Sequence, residues 1–194
     1  MRTGQIWVAF TAIAFLTWAP HLLLGQTDST AGENSPEKTA IRAMEALREE
    51  RIGDFAKEMH PEALKSFKTA ILDVMDSAEK AGREGQLLSL FKDVTAVSDL
   101  RNLNDAAFFA SFYEGVIKMQ PRIRDSMKGM TIEVIGNVKE GTDVLHVVYR
   151  GTVNSGDLKV SQLSVMSMKA NGDRWGMLLT SDLEVLAATL KKQF

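Results

Sequence analysis

The side chains best suited to acid–base chemistry are two histidines, His60 and His146, because imidazole titrates closest to neutral pH. His60 stands before Pro61 at a predicted helix boundary. There it is the candidate catalytic residue, a general acid or base. Alternatively, it hydrogen-bonds the helix end and sets the turn. The structural role is favoured, because no catalytic motif accompanies the residue.

His146 is two steps of strand alternation from Arg150, so both side chains lie on one face of a predicted strand. If that face lines a cavity, the pair binds an anion, with Arg150 as the forked donor. The alternative is an exposed or subunit-facing surface, because Leu145, Val147 and Tyr149 alternate with them as the core face.

Tyr149 and Trp175 are candidates for lining an apolar ligand cavity. Large aromatic side chains on an inward face are more commonly part of the core. Both interpretations stay open from the sequence.

The sequence lacks the residues that other kinds of functional site require. The chain has no cysteine and few histidines, far apart, so we predict no metal site and no cofactor. No glycine-rich phosphate loop or nucleophile elbow is present. The 23 basic and 25 acidic residues are interspersed, which predicts no nucleic-acid partner.

The first 25 residues predict a signal peptide. Arg2 precedes an apolar run over residues 6–24, and the small residue Gly25 follows. We therefore expect a secreted or periplasmic protein without membrane attachment after cleavage. The alternative is a membrane anchor formed by residues 6–24, which approach the ~20 residues that a spanning helix needs. Residues 26–35 read as a flexible linker and residues 36–194 as a single domain.

Apolar spacing predicts helices in the first part of that domain. The strongest pattern has steps of three and four and comprises Leu64, Phe67, Ile71, Val74 and Ala78. An earlier helix begins at Pro36 and is expected to bury Ile41, Met44 and Leu47. A later helix follows Asn104 as its N-cap and carries Phe108, Phe109 and Phe112.

After Met130 the apolar period changes to two, which predicts strands. The first strand is expected to place Ile132, Val134, Gly136 and Val138 on one face. Four such runs separated by turns, followed by a capping box at Ser181 and Glu184, predict the fold class α+β. In this fold, N-terminal helices pack on a curved antiparallel sheet of about four strands, and a C-terminal helix closes the chain. The expected joint core is Leu64, Phe67, Ile71, Phe112, Leu145, Val147, Tyr149 and Trp175.

Local phrases within residues 37–192 resemble exported bacterial members of the nuclear transport factor two-like (cone-shaped α+β, cystatin-like) superfamily. The phrases are Asp54-Phe55, His60-Pro61-Glu62-Ala63-Leu64, Phe108-Phe109, Ile135-Gly136, His146-Val147-Val148-Tyr149-Arg150 and Gly172-Asp173-Arg174-Trp175. The resemblance implies a helix-covered cone and, commonly, dimers formed through the sheet. The long helical stretch over residues 82–120 departs from the usual pattern, in which a helix separates the strands.

Three functions fit these patterns. The first is an exported non-enzymatic domain that binds a small apolar ligand or a protein partner. The second is a small-molecule isomerase or hydrolase that uses His60. The third is a structural, self-associating envelope protein. We expect a homodimer through the outer sheet face, because Val144 and Val148 leave that face half apolar.

Export is directly testable. Expression of the full chain in a bacterial host should yield a mature protein that begins near residue 26, because the signal pattern ends at Gly25. Intact-mass spectrometry measures the product. Recovery of only the full-length chain from the membrane fraction would contradict cleavage.

Overall fold

A computed structural model describes residues 32–155, 158–179 and 182–192. Within them the chain is α+β, as predicted: helices precede a four-stranded antiparallel sheet, and a helix follows it. The predicted signal peptide, most of the linker and Ser181 lie outside these residues. The elements are α1 (Pro36–Arg48), α2 (Ile52–Lys57), α3 (Pro61–Lys80), α4 (Glu84–Leu88), α5 (Val97–Asn102), α6 (Asp105–Met119), α7 (Pro121–Lys128), β1 (Met130–Glu140), β2 (Val144–Ser155), β3 (Leu158–Asn171), β4 (Arg174–Met177) and α8 (Asp182–Lys191).

A cluster of phenylalanine rings holds the helices together. The ring of Phe67 on α3 lies 5.1 Å from Phe109 and 5.2 Å from Phe112, both on α6, in edge-to-face geometry. Phe91 and Phe108 complete the cluster with a centroid distance of 5.1 Å. Edge-to-face contacts match the positive ring edge to the negative ring face, so they add orientation to hydrophobic burial.

Helix α6 also passes very close to the segment that follows α4. A Cβ atom on Gly115 would lie 2.2 Å from the carbonyl oxygen of Leu90. Only glycine permits this approach, which brings Phe91 against the rings of α6. Asn104 caps the helix as expected, since its side chain accepts from the backbone N–H of Ala107 at 2.8 Å.

The buried face of α1 includes Leu47, as predicted, but differs from the prediction at Ile41. Ala40 and Ala43 are fully buried, whereas Ile41 is 37% exposed. The helix contacts α2 and strands β1, β2 and β4. Small side chains allow its backbone to approach these neighbours closely, which a larger residue would prevent.

The sheet runs in the order β1-β2-β3-β4. Strand β1 contains a bulge where it pairs with β2, because the register shifts between Val134 and Gly136. One extra residue reverses the alternation of faces. The prediction that Val138 shares a face with Val134 was therefore wrong. Val134 pairs with Tyr149 on the face toward the helices, whereas Val138 pairs with His146 on the opposite face.

The predicted core is largely correct. Six of its residues belong to one buried cluster between helices and sheet: Leu64, Phe67, Ile71, Phe112, Leu145 and Val147. Trp175 is half-buried and packs against that cluster. Tyr149 is buried but falls outside it.

Replacing Phe67 with alanine should lower the free energy of unfolding by roughly 3–5 kcal/mol, because it leaves a cavity at the centre of the ring cluster. Urea denaturation of the variant and the wild type measures the difference. The matched control is Ile41→Ala, at a partly exposed position, which should cost less than about 1 kcal/mol. Equal losses in the two variants would contradict the central role of Phe67.

Candidate functional site

His60 caps α3 and is only 6% exposed. Its Nδ1 accepts a hydrogen bond from the backbone N–H of Glu62 at 3.2 Å. Nδ1 must therefore be unprotonated, which places the ring proton of neutral histidine on Nε2. The Glu62 carboxylate accepts a hydrogen bond from Lys169 at 2.6 Å, and the same oxygen lies 3.9 Å from Nδ1 of His60. The hydrogen bond and charge of Lys169 lower the pKa of the Glu62 carboxyl.

The backbone of His60 has a second structural role at the edge of the sheet. Its N–H donates to the carbonyl of Met177 at 2.8 Å, while the N–H of Met177 donates to the carbonyl of Glu58 at 2.9 Å. A Cβ on Gly176 would lie 2.6 Å from the Cα of His60, so this position requires glycine. These contacts assign His60 to the junction between helices and sheet.

The sheet surface that faces away from the helices has an apolar centre, which the described residues leave exposed; we call this surface the open face. Its exposed centre comprises Val138, Leu163 and Val165, each more than half exposed. Val148 lies beside Val165 in the register and is half-buried. Exposed apolar patches of this kind usually mark contact surfaces.

Charged pairs lie toward the two ends of the open face. Toward one end Arg150 donates to Glu133 at 2.6 Å. Toward the other, Nε2 of His146 lies 2.6 Å from a carboxylate oxygen of Glu140, and its Nδ1 lies 3.0 Å from the hydroxyl of Ser167. The expected pair of His146 and Arg150 shares this face but does not form a joint site. Four residues of extended strand separate the two by about 13 Å, and each has its own carboxylate partner.

A groove of about 640 Å³ borders the end of the open face that carries His146. We call it the hairpin groove, because the hairpin between β1 and β2 forms part of its wall. Its lining is Glu140, Gly141, Val144, His146, Ser167, Leu178 and Leu179. The sequence pattern indicates His146 as a candidate residue but not Glu140 and Ser167 as its partners. No local motif indicates that these three residues meet, because they come from three different strands, β1, β2 and β3.

A second depression, of about 440 Å³, is lined mainly by charged residues of α1 and α2 together with Arg174. Arg42 crosses it and binds both carboxylate oxygens of Glu58, at 3.1 and 2.9 Å. This hydrogen bonding raises the pKa of the Arg42 guanidinium. Arg51 likewise binds Asp54 at 2.7 Å. The pair formed by Arg42 and Glu58 links α1 to the C-terminal end of α2.

Neither Tyr149 nor Trp175 borders the hairpin groove or the second depression. Burial raises the pKa of the Tyr149 hydroxyl, and a hydrogen bond with Ser164 opposes that shift. Trp175 packs against the main core.

Among the described residues, no group of three or more histidine, cysteine, aspartate or glutamate side chains has the arrangement of a metal site. No helix within the same residues has both the length and the apolar content needed to cross a membrane.

Comparison of the chain with protein-family models, with curated proteins and with solved structures finds no match. The resemblance to the nuclear transport factor two-like superfamily therefore stays a prediction.

Replacing His60 with alanine should destabilise the protein by about 0.5–2 kcal/mol, because it removes the acceptor that caps α3. The matched variant His60→Asn keeps a capping oxygen at this position and should recover part of that stability. Urea denaturation measures both. Identical losses for alanine and asparagine would show that ring packing, rather than capping, determines the effect.

Proposed function

We propose that this protein is a non-enzymatic interaction domain whose binding surface is the open face, and that its partner on that face is a second copy of the chain. The observation that carries the proposal is the exposed apolar centre formed by Val138, Leu163 and Val165. Burying such side chains against a partner removes apolar surface from water, which drives association.

The central position of the apolar residues supports a second copy as the partner. Arg150 and Glu133 lie toward one end of the apolar centre, and His146 and Glu140 lie toward the other. A twofold axis near Val148 brings the end with Arg150 of one copy over the end with Glu140 of the other. The apolar centres of the two copies then meet across the axis, as an isologous interface requires.

The dimensions of the open face fit the same interpretation. Three strands of 11, 12 and 14 residues form it. At standard strand spacing and rise they cover roughly 40 Å by 14 Å. This projected area is about 560 Å². The solvent-accessible area is larger because side chains project from the sheet, and it approaches the ~800 Å² per partner of a standard interface.

The packing argues against the alternative of a small apolar ligand held between helices and sheet. Phe67, Leu145 and Val147 are at most 4% exposed and belong to one cluster that fills this space. The enzyme alternative that uses His60 has no supporting observation, because that imidazole is buried and engaged as a helix cap.

Export and membership of the nuclear transport factor two-like superfamily are parts of the same proposal. The signal pattern of residues 1–25 supports export. One-sided helical cover of an antiparallel sheet supports the superfamily, whereas the uninterrupted order of four strands departs from its usual interleaving.

Val165→Glu should convert a dimer into a monomer, because it places a carboxylate at the centre of the apolar surface on both copies. Val165 is 54% exposed, so the monomer should still fold. Sedimentation velocity at micromolar concentrations measures the oligomeric state.

The matched control is Val185→Glu, the same substitution at an exposed position of α8 away from the open face. This variant should remain dimeric. A wild-type protein that sediments as a monomer at high micromolar concentration would refute self-association, as would an unchanged dimer in Val165→Glu.

A further inference from the structure

Three polar side chains form a continuous hydrogen-bonded chain in the wall of the hairpin groove. The Ser167 hydroxyl lies 3.0 Å from Nδ1 of His146, and Nε2 of the same ring lies 2.6 Å from a carboxylate oxygen of Glu140. A nucleophile within reach of a base, and a base oriented by a third group, is the general signature of an activated nucleophile.

The carboxylate determines which nitrogen is basic. A glutamate carboxylate only accepts hydrogen bonds, so the Nε2 that faces Glu140 carries the proton. In neutral His146 the lone pair then lies on Nδ1, and Nδ1 faces Ser167. The same carboxylate stabilises the imidazolium that forms when the ring accepts a second proton.

Neighbouring strands hold these groups in place. Ser167 and His146 are direct partners in the register of β2 and β3, and the ring of His146 is 27% exposed. It is therefore accessible from the groove yet supported by the sheet. The groove also presents Val144, Leu178 and Leu179, which provide an apolar wall beside the hydroxyl.

We propose that Ser167 is a reactive serine that is acylated by small activated esters with short apolar acyl chains. Its Oγ attacks the ester carbonyl carbon and forms a new C–O bond, while the hydroxyl proton moves to Nδ1 of His146. The tetrahedral intermediate expels the alcohol, which takes that proton from Nδ1. The products are a serine ester and the free alcohol, and no oxidant or reductant is required.

The apolar wall and the open shape of the groove determine the ligand class. A short acyl chain lies against Leu178 and Leu179, while its carbonyl stays near Ser167. A general base contributes about 10²–10⁴-fold to such a step. We accordingly expect slow, stoichiometric acylation. This reactivity goes beyond the proposed interaction function, and a second copy seated on the open face would slow it by covering the end that carries His146.

The test treats the full chain with p-nitrophenyl butyrate and, separately, with diisopropyl fluorophosphate. We expect release of up to one equivalent of p-nitrophenolate and an adduct that peptide mass spectrometry locates on Ser167. Ser167→Ala should abolish both signals. His146→Ala should slow acylation at least about tenfold, because the proton acceptor is lost, and Glu140→Gln should also slow it.

The matched control is Ser161→Ala, because Ser161 lies on the same strand but contacts the hydroxyl of Thr152 rather than a histidine. This variant should react like the wild type. No adduct on Ser167, equal labelling of Ser161, or unchanged rates in His146→Ala would overturn the proposal. Parallel labelling of Val165→Glu separates the two proposals, since an adduct on Ser167 in that variant supports a reactive serine whatever the oligomeric state.

Discussion

Two backbone hydrogen bonds at Met177 join the helical layer to the edge of the sheet, and the remaining architecture depends on them. The carbonyl of Met177 accepts from His60, and its N–H donates to Glu58. The chain leaves this junction directly into α3, whose first turn His60 caps. The junction therefore fixes the start of the helix that carries Phe67 into the ring cluster. Gly176 makes the junction possible, because any side chain there would overlap His60.

This attachment places the described core on one side of the sheet. Leu145 and Val147 face the helices and are buried, whereas Val165 on the opposite side is exposed. The bulge between Val134 and Gly136 adds Val138 to the exposed set by reversing the alternation of β1. The open face and the hairpin groove therefore result from the same one-sided packing. Their chemistry differs, because apolar side chains dominate the centre and hydrogen-bonded polar groups dominate the end.

Local patterns predicted much of the fold. The spacing from Leu64 to Ala78 predicted α3, because its residues repeat with the helical period and all face the core. The cap at Asn104 followed from its side-chain chemistry. The burial of Ala40 and Ala43 on α1 was not predictable in this way. Hydrophobicity predicted that Ile41 is buried. The structure instead buries Ala40 and Ala43, because their small side chains allow α1 to pack closely against its neighbours.

The sequence by itself determined that helices precede four strands and that a helix follows them, the inward face of β2 and the absence of cysteine chemistry, because these depend on residue type and short-range periodicity. It did not indicate α5 or α7, which are short. Only the tertiary structure decided which polar groups meet. His146 and Arg150 share a strand face, yet their partners come from neighbouring strands: Glu140 and Ser167 for the first, Glu133 for the second. Strand register sets these contacts, and a single bulge residue is enough to change which side chains lie opposite each other.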